Sequence, residues 1–176
     1  MDIRPDILTR RGHYFNFINP DESVIAIEDI ATALSNICRF NGHTNTFYSV
    51  AQHSIFVSQL VPEEHALVAL MHDAAEAYVG DVTRPLKNLL PEYKVIEDRV
   101  HTAIFKNFGL DPVLPPCVKK ADLIMLATEQ KNLMATHDDE WALLKGIEPL
   151  NTVIVAMSPE KAAQRFVKRF YELWLE

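Results

Sequence analysis

The stretch LMHDAAEAYVGDV, Leu70 to Val82, sets a His-Asp pair, a glutamate three residues later and a second aspartate beyond a glycine into an apolar, alanine-rich helical pattern. Helical residues three or four apart are surface neighbours, so His72, Asp73 and Glu76 occupy adjoining parts of one face, with His72 and Asp73 meeting at its edge. Carboxylates withdrawn from water need a salt bridge, hydrogen-bond donors or a metal ion. The surrounding LVALMHDAAEAYVG supplies no lysine or arginine. It does supply an imidazole, which binds divalent metals when neutral.

Two residues elsewhere could complete a metal set. His53 falls inside a helical pattern, Tyr48 to Leu60, among Val50, Ala51, Ile55, Phe56 and Val57, where a core position ordinarily carries an apolar side chain. Asp122 leads the apolar stretch of KKADLIMLA. His53, His72, Asp73 and Asp122 offer two nitrogen and two oxygen donors, a mixture suited to Mn, Fe, Co, Ni, Mg or a catalytic Zn and not to a closed thiolate site. The same spacing also admits hydrogen-bonded core histidines beside paired aspartates. His13, His43, His65, His101 and His137 read as surface or structural.

The elements that must position these residues are helical. Glycine is scarce and apolar residues recur mostly at helical spacing, so the fold class is all-α, one compact domain over residues 1–176 with the motifs in about 27–135. HYFNFINPDESVIAI is the exception, with alternating aromatics that suit a short hairpin or an arm. Ile27, Ile30, Leu34 and Ile37 share a helical face. After the helix ending near Leu60, VPEEHALVALMHDAAEAYV restarts one with Pro62 in its first turn. DVTRPLKNLLP reads as a loop or broken helix, Tyr93 to Phe108 as an amphipathic helix stopped by Gly109, Cys117 to about Ala135 as a long helix, and Ser158 to Trp174 as a last one with Ser158 as N-cap. THDDEWALLKGIEPLNTVIVA fits no single pattern.

Bulk composition narrows the partners. The formal charge of −7 opposes a role in gripping long nucleic acid through its phosphates, while leaving small anions possible. Two cysteines make no disulfide framework, and no apolar run has the length of a signal peptide core or a membrane span. The expectation is a soluble, cytoplasmic protein with no membrane partner.

The order His53, His72-Asp73, Asp122 resembles the H…HD…D signature of the HD-domain metal-dependent phosphohydrolases. HDAAEAYVGDVTRPLK, His72 to Lys87, is similar to the bacterial and prophage 5′-deoxynucleotidase subgroup, in which HD-x-x-E is followed by four residues, an aspartate and then Pro-x-Lys. ICRFNGHTNTFYSVAQHS, Ile37 to Ser54, also resembles phage-borne members, and the likeness runs from Ile27 to about Lys131. It implies an all-α HD-domain fold around a central divalent metal (Co, Mn, Mg or Zn) and a homodimer. It also implies metal ligands His53, His72, Asp73 and Asp122, with the catalytic acids Glu76 and Asp81 beside the reacting water. Arg39 would meet the phosphate, and Phe40 would stand near the sugar where relatives often place Trp, a departure that bears on sugar selection. Lys87 and Lys119 are further candidate phosphate contacts.

The implied activity is hydrolysis of deoxynucleoside 5′-monophosphates to deoxynucleoside and phosphate. A phage-type triphosphohydrolase cleaving dNTPs at the α-phosphorus is the alternative, since Arg84, Lys87, Lys119 and Lys120 lie near the motifs. A non-catalytic module that binds metal or nucleotide is the alternative of another class.

Overall fold

The computed structural model describes residues 4–175. It is mostly helical, with one two-stranded antiparallel sheet. Strands β1 (Asp6–Leu8) and β2 (Tyr14–Asn16) pair Asp6 with Asn16, Ile7 with Phe15 and Leu8 with Tyr14. The expected hairpin is present, but its first strand lies upstream of the aromatic run, and Asn19-Pro20 begins a 3-10 turn at Pro20–Glu22. Alternation along β2 turns Phe15 inward, where it is fully buried and stacks on Tyr78 at 3.7 Å between ring centroids.

Helix α1 (Ile27–Asn36) buries Ile27, Ile30 and Leu34 on the face the sequence assigns to it. It packs against the last helix, α8 (Pro159–Trp174), whose N-cap Ser158 accepts the Lys161 N–H at 3.3 Å. That face of α8 inserts Ala162, Phe166 and Phe170 into the core, each phenylalanine contributing roughly 1.5–3 kcal/mol by leaving water.

Helix α2 (Val50–Ser58) is shorter than its pattern suggests, because Ser49 caps it by accepting the Gln52 N–H at 3.2 Å. It is buried almost all round, as a central helix must be. Val50, Ala51 and Ile55 belong to the apolar cluster with Phe15, Leu34 and Phe166, whereas Val57 joins a second cluster with Tyr48, Val118 and Met125. His53 therefore sits between two cores. Gln52, fully buried, donates to the Val155 carbonyl and accepts the Met157 N–H, both at 2.8 Å. These bonds tie the extended segment before α8 to α2.

The single helix expected from Pro62 through Val79 is broken into parts. A 3-10 turn at Glu63–His65 leads into α3 (Ala66–Met71), and α4 (Glu76–Val79) follows after a tightened stretch. There the N–H groups of Ala74, Glu76, Ala77 and Tyr78 bond carbonyls three residues back, at 2.9–3.2 Å, which is 3-10 geometry. His72 Nδ1 donates to the Ala69 carbonyl at 2.7 Å, competing for an acceptor that a continuing α-helix gives to residue 73. Gly80, at φ 83°, then turns the chain toward Asp81, a conformation that a residue with a Cβ enters only with strain.

Helix α5 (Arg84–Lys87) is a single turn, and α6 (Pro91–Asn107) carries a cavity wall. At its end Gly109 N–H bonds Lys106 O at 3.1 Å and Leu110 N–H bonds Phe105 O at 2.8 Å, the paired closure of a Schellman motif. Helix α7 (Pro116–Leu133) carries Asp122. The stretch with no clear pattern is irregular apart from a 3-10 turn at Ala142–Leu144. Among the described residues, no helix is long and apolar enough to cross a membrane.

Candidate metal centre

Three helices bring the polar residues together: α2 supplies His53, the tightened end of α3 supplies His72 and Asp73, and α7 supplies Asp122. One donor atom from each of His53, His72 and Asp122 lies within 4.8 Å of the others, the spread a single ion can bridge. His53 Nε2 is 3.2 Å from Asp122 Oδ1 and 3.6 Å from Asp73 Oδ2, and His72 Nε2 is 3.2 Å from Asp73 Oδ2. Despite that closeness, both Nε2 atoms are buried without an aligned hydrogen-bond partner.

The opposite ring nitrogens are committed. A carboxylate can only accept, so His53 Nδ1 carries the hydrogen it donates to Glu129 Oε1 at 2.6 Å. His72 Nδ1 donates likewise to the Ala69 carbonyl. Both rings thus present Nε2 to one shared space, the arrangement in which imidazoles ligate metals. Two orphaned nitrogens facing two carboxylates fit a divalent ion of the nitrogen and oxygen class.

Charge in the cluster is balanced tightly. Burial and the Arg39 charge act to lower the His53 imidazole, but Glu129 and Asp122 outweigh them and hold it up at about 9. Burial would raise Asp73, yet His72, His53 and Arg39 bring it well below the usual carboxylate range. Asp122 is lowered too, against its burial, chiefly by His53. Glu76 behaves oppositely: burial first, then Asp73 and Asp81, push it well above the carboxylate range. Asp81 is also raised, mainly by burial, with Arg39 opposing.

A cavity of about 380 Å³ opens beside the cluster. His72, Asp73 and Glu76 line one side, Lys87 and Lys119 flank it, and Glu97, Asp98, His101 and the loop Pro112–Leu114 complete the wall. Lys87 Nζ is held by Glu97 Oε1 at 2.6 Å. That bond raises the ammonium against the effect of its burial. Asp81 does not line the cavity and is half-buried next to the same charges. Arg84 and Lys120 are exposed and away from it.

Arg39 and Phe40 are placed differently from the two lysines. The guanidinium is mostly buried, with Nε donating to Glu129 Oε2 at 3.1 Å and Nη1 lying 3.5 Å from Asp73 Oδ2. It also stands 5.5 Å from the Phe40 ring centroid. Phe40 and Asn41 adopt φ of 55° and 51°, and a bulky side chain in the left-handed region stores about 1–3 kcal/mol of strain.

The sequence reading did not single out Glu129 or His101. Glu129 is fully buried and lies seven residues after Asp122, two turns along the same face of α7, and that spacing was the available signal. His101, read as surface or structural, lies on the cavity wall with Nε2 3.0 Å from the Pro112 carbonyl.

Fold and site together define a mostly helical protein with a buried histidine–carboxylate centre suited to a divalent metal. No family model matches the chain. It is 48% identical over 161 residues to the uncharacterized protein YfdR of Escherichia coli, covering 91% of this chain and 89% of that one, and it belongs to the family of that protein. An uncharacterized protein of Rhodobacter capsulatus is 38% identical over 120 residues, covering 62% of this chain and 61% of its own length.

Proposed function

We propose that this protein is a metal-dependent phosphohydrolase of the HD-domain class that acts on deoxynucleoside 5′-monophosphates, releasing deoxynucleoside and phosphate. The observation that carries the reading is the pair of buried, unpartnered Nε2 atoms of His53 and His72 converging with Asp122 and Asp73 beside a cavity of nucleotide size. A divalent ion held by these residues would acidify a water and polarise a phosphoryl oxygen.

The chain's own residues supply the rest. Water attacks phosphorus, the bond from phosphorus to the 5′-oxygen breaks, and that oxygen needs a proton. Glu76 lines the cavity, and burial keeps it protonated above the usual carboxylate range, so it is suited to deliver that proton as a general acid. Asp81, raised in the same direction, is the reserve. Lys87 and Lys119 line the cavity and would offset the charge of a phosphate dianion bound there, and Arg39 adds positive charge from behind Asp73.

The charge of the cavity favours a monophosphate over a triphosphate. Beside the protonated Glu76 its wall carries the carboxylates of Asp73, Glu97 and Asp98 against two lysines, and one of those lysines is already paired with Glu97. A chain of three phosphates would meet more repulsion than compensation there.

The test is phosphate release from deoxy- and ribonucleoside mono- and triphosphates after chelation and readdition of Mn, Co, Mg or Zn. Metal-restored turnover of deoxynucleoside monophosphates is expected, reduced by at least about 100-fold in Glu76→Gln, as befits loss of general acid catalysis. Triphosphate turnover without monophosphate turnover would replace the substrate. Folded protein that turns over nothing with any metal would leave a binding module.

A further inference from the structure

The buried carboxylate of Glu129 touches both halves of the site. Oε1 accepts from His53 Nδ1 at 2.6 Å, and Oε2 accepts from Arg39 Nε at 3.1 Å. Arg39 Nη1 reaches to 3.5 Å from Asp73 Oδ2, and Asp73 Oδ2 lies 3.6 Å from His53 Nε2, which closes the circuit. Four side chains from four separate stretches of chain are thereby held in one ring, in which Glu129 and His53 are both fully buried.

We propose that Glu129 is a positioning residue that fixes the metal-facing nitrogen of His53 and the guanidinium of Arg39 through the two oxygens of one carboxylate. This rests on the reading of His53, His72 and Asp122 as a metal site. A hydrogen on Nδ1 directs the lone pair of the neutral ring to Nε2, so Glu129 selects the tautomer that ligates as well as the ring's orientation. Both of its partners are donors. A glutamine at this position has a single acceptor oxygen and a donating amide, so it can serve His53 or Arg39 but not both.

The test measures Co²⁺ binding by calorimetry and by the visible absorption of bound Co²⁺, on chelated wild-type protein, Glu129→Gln and Glu129→Ala. Each variant is expected to bind Co²⁺ about 10–100-fold more weakly than wild type and to shift the absorption bands. Glu63→Gln, at an exposed position that takes part in none of these bonds, should bind as wild type does. Folded Glu129→Gln with wild-type affinity and spectrum overturns the positioning role and leaves the metal site standing. Wild-type protein that binds no Co²⁺ removes both.

If the Glu129 variants do not fold, ¹⁵N NMR of histidine-labelled wild type with Zn²⁺ carries the test. It should show the His53 ring with a hydrogen retained on Nδ1 and the metal on Nε2. The opposite tautomer overturns the assignment.

Discussion

The molecule sets two aspartate–histidine groups against its core, and they differ in how their polar atoms are partnered. At the hairpin, Asp29 of α1 is 5% exposed and accepts from Thr9 Oγ1 at 2.8 Å and from the Arg11 N–H at 3.0 Å, with His13 Nδ1 at 3.4 Å. Donors surround a single acceptor, and the result is a latch holding β1 and β2 to the core. Between α2, α3 and α7 two imidazoles and two carboxylates converge, and both Nε2 atoms lack aligned partners. Burial of polar groups is common to both. Convergence of imidazole nitrogens without aligned partners on carboxylates belongs only to the second, and it separates a place for a cation from a structural joint.

Exchanging the damage between the two groups gives the largest contrast. His72→Ala should weaken divalent metal binding by at least about 100-fold, more than loss of an outer partner of a ligand does, with little change in the melting temperature of the metal-free protein. Asp29→Ala should leave metal affinity within about twofold while costing about 1–3 kcal/mol of stability, because it orphans the Thr9 and Arg11 donors. Calorimetric metal titration and thermal denaturation of the two variants read both effects, and a metal-binding loss in Asp29→Ala would erase the distinction.

The pH dependence sharpens the same contrast. His53 is raised above its ordinary value of about 6.5 to about 9 in the folded, metal-free protein, so its proton stabilises the fold. That contribution, on the order of 3 kcal/mol, is fully present below about pH 6.5 and is lost as pH rises through 9. Melting temperature should fall across this window without metal. Saturating Mg²⁺ should remove the fall, since the ion takes the place of the proton. An identical slope with and without metal in a protein that binds Mg²⁺ would place the titration elsewhere.

The smallest effect lies far from the centre. Ser158→Ala removes the cap of α8 and should cost about 1 kcal/mol in urea denaturation, with metal affinity unchanged. A change in affinity would mean that α8 transmits strain to α2.

Local rules made much of this legible in the sequence. The helical face of α1, the Gly109 stop and the Ser158 cap follow from short-range chemistry and stand in the structure, whereas α6 and α7 begin at Pro91 and Pro116, just before the Tyr93 and Cys117 starts that the pattern suggests. His53, His72 and Asp122 could be gathered because each is a polar residue inside an apolar helical pattern. The tightening after Met71 could not be read, since it turns on a ring nitrogen competing with the backbone for the Ala69 carbonyl. Nor could the pairing of Glu129 with His53 and Arg39, which joins residues 76 and 90 positions apart and depends on how α7 docks against α2.

The Gln52 amide carries a consequence for where this protein can be cut. The motifs end near residue 135, yet the neighbour of His53 spends both ends of its side chain on the backbone of Val155 and Met157. A chain shortened to its motifs would strand that amide without partners one residue from the centre, and would strip Phe166 and Phe170 from the apolar cluster. The tail without a motif is thus a buttress for the helix that bears the first histidine, and the smallest autonomous unit is far longer than its signature.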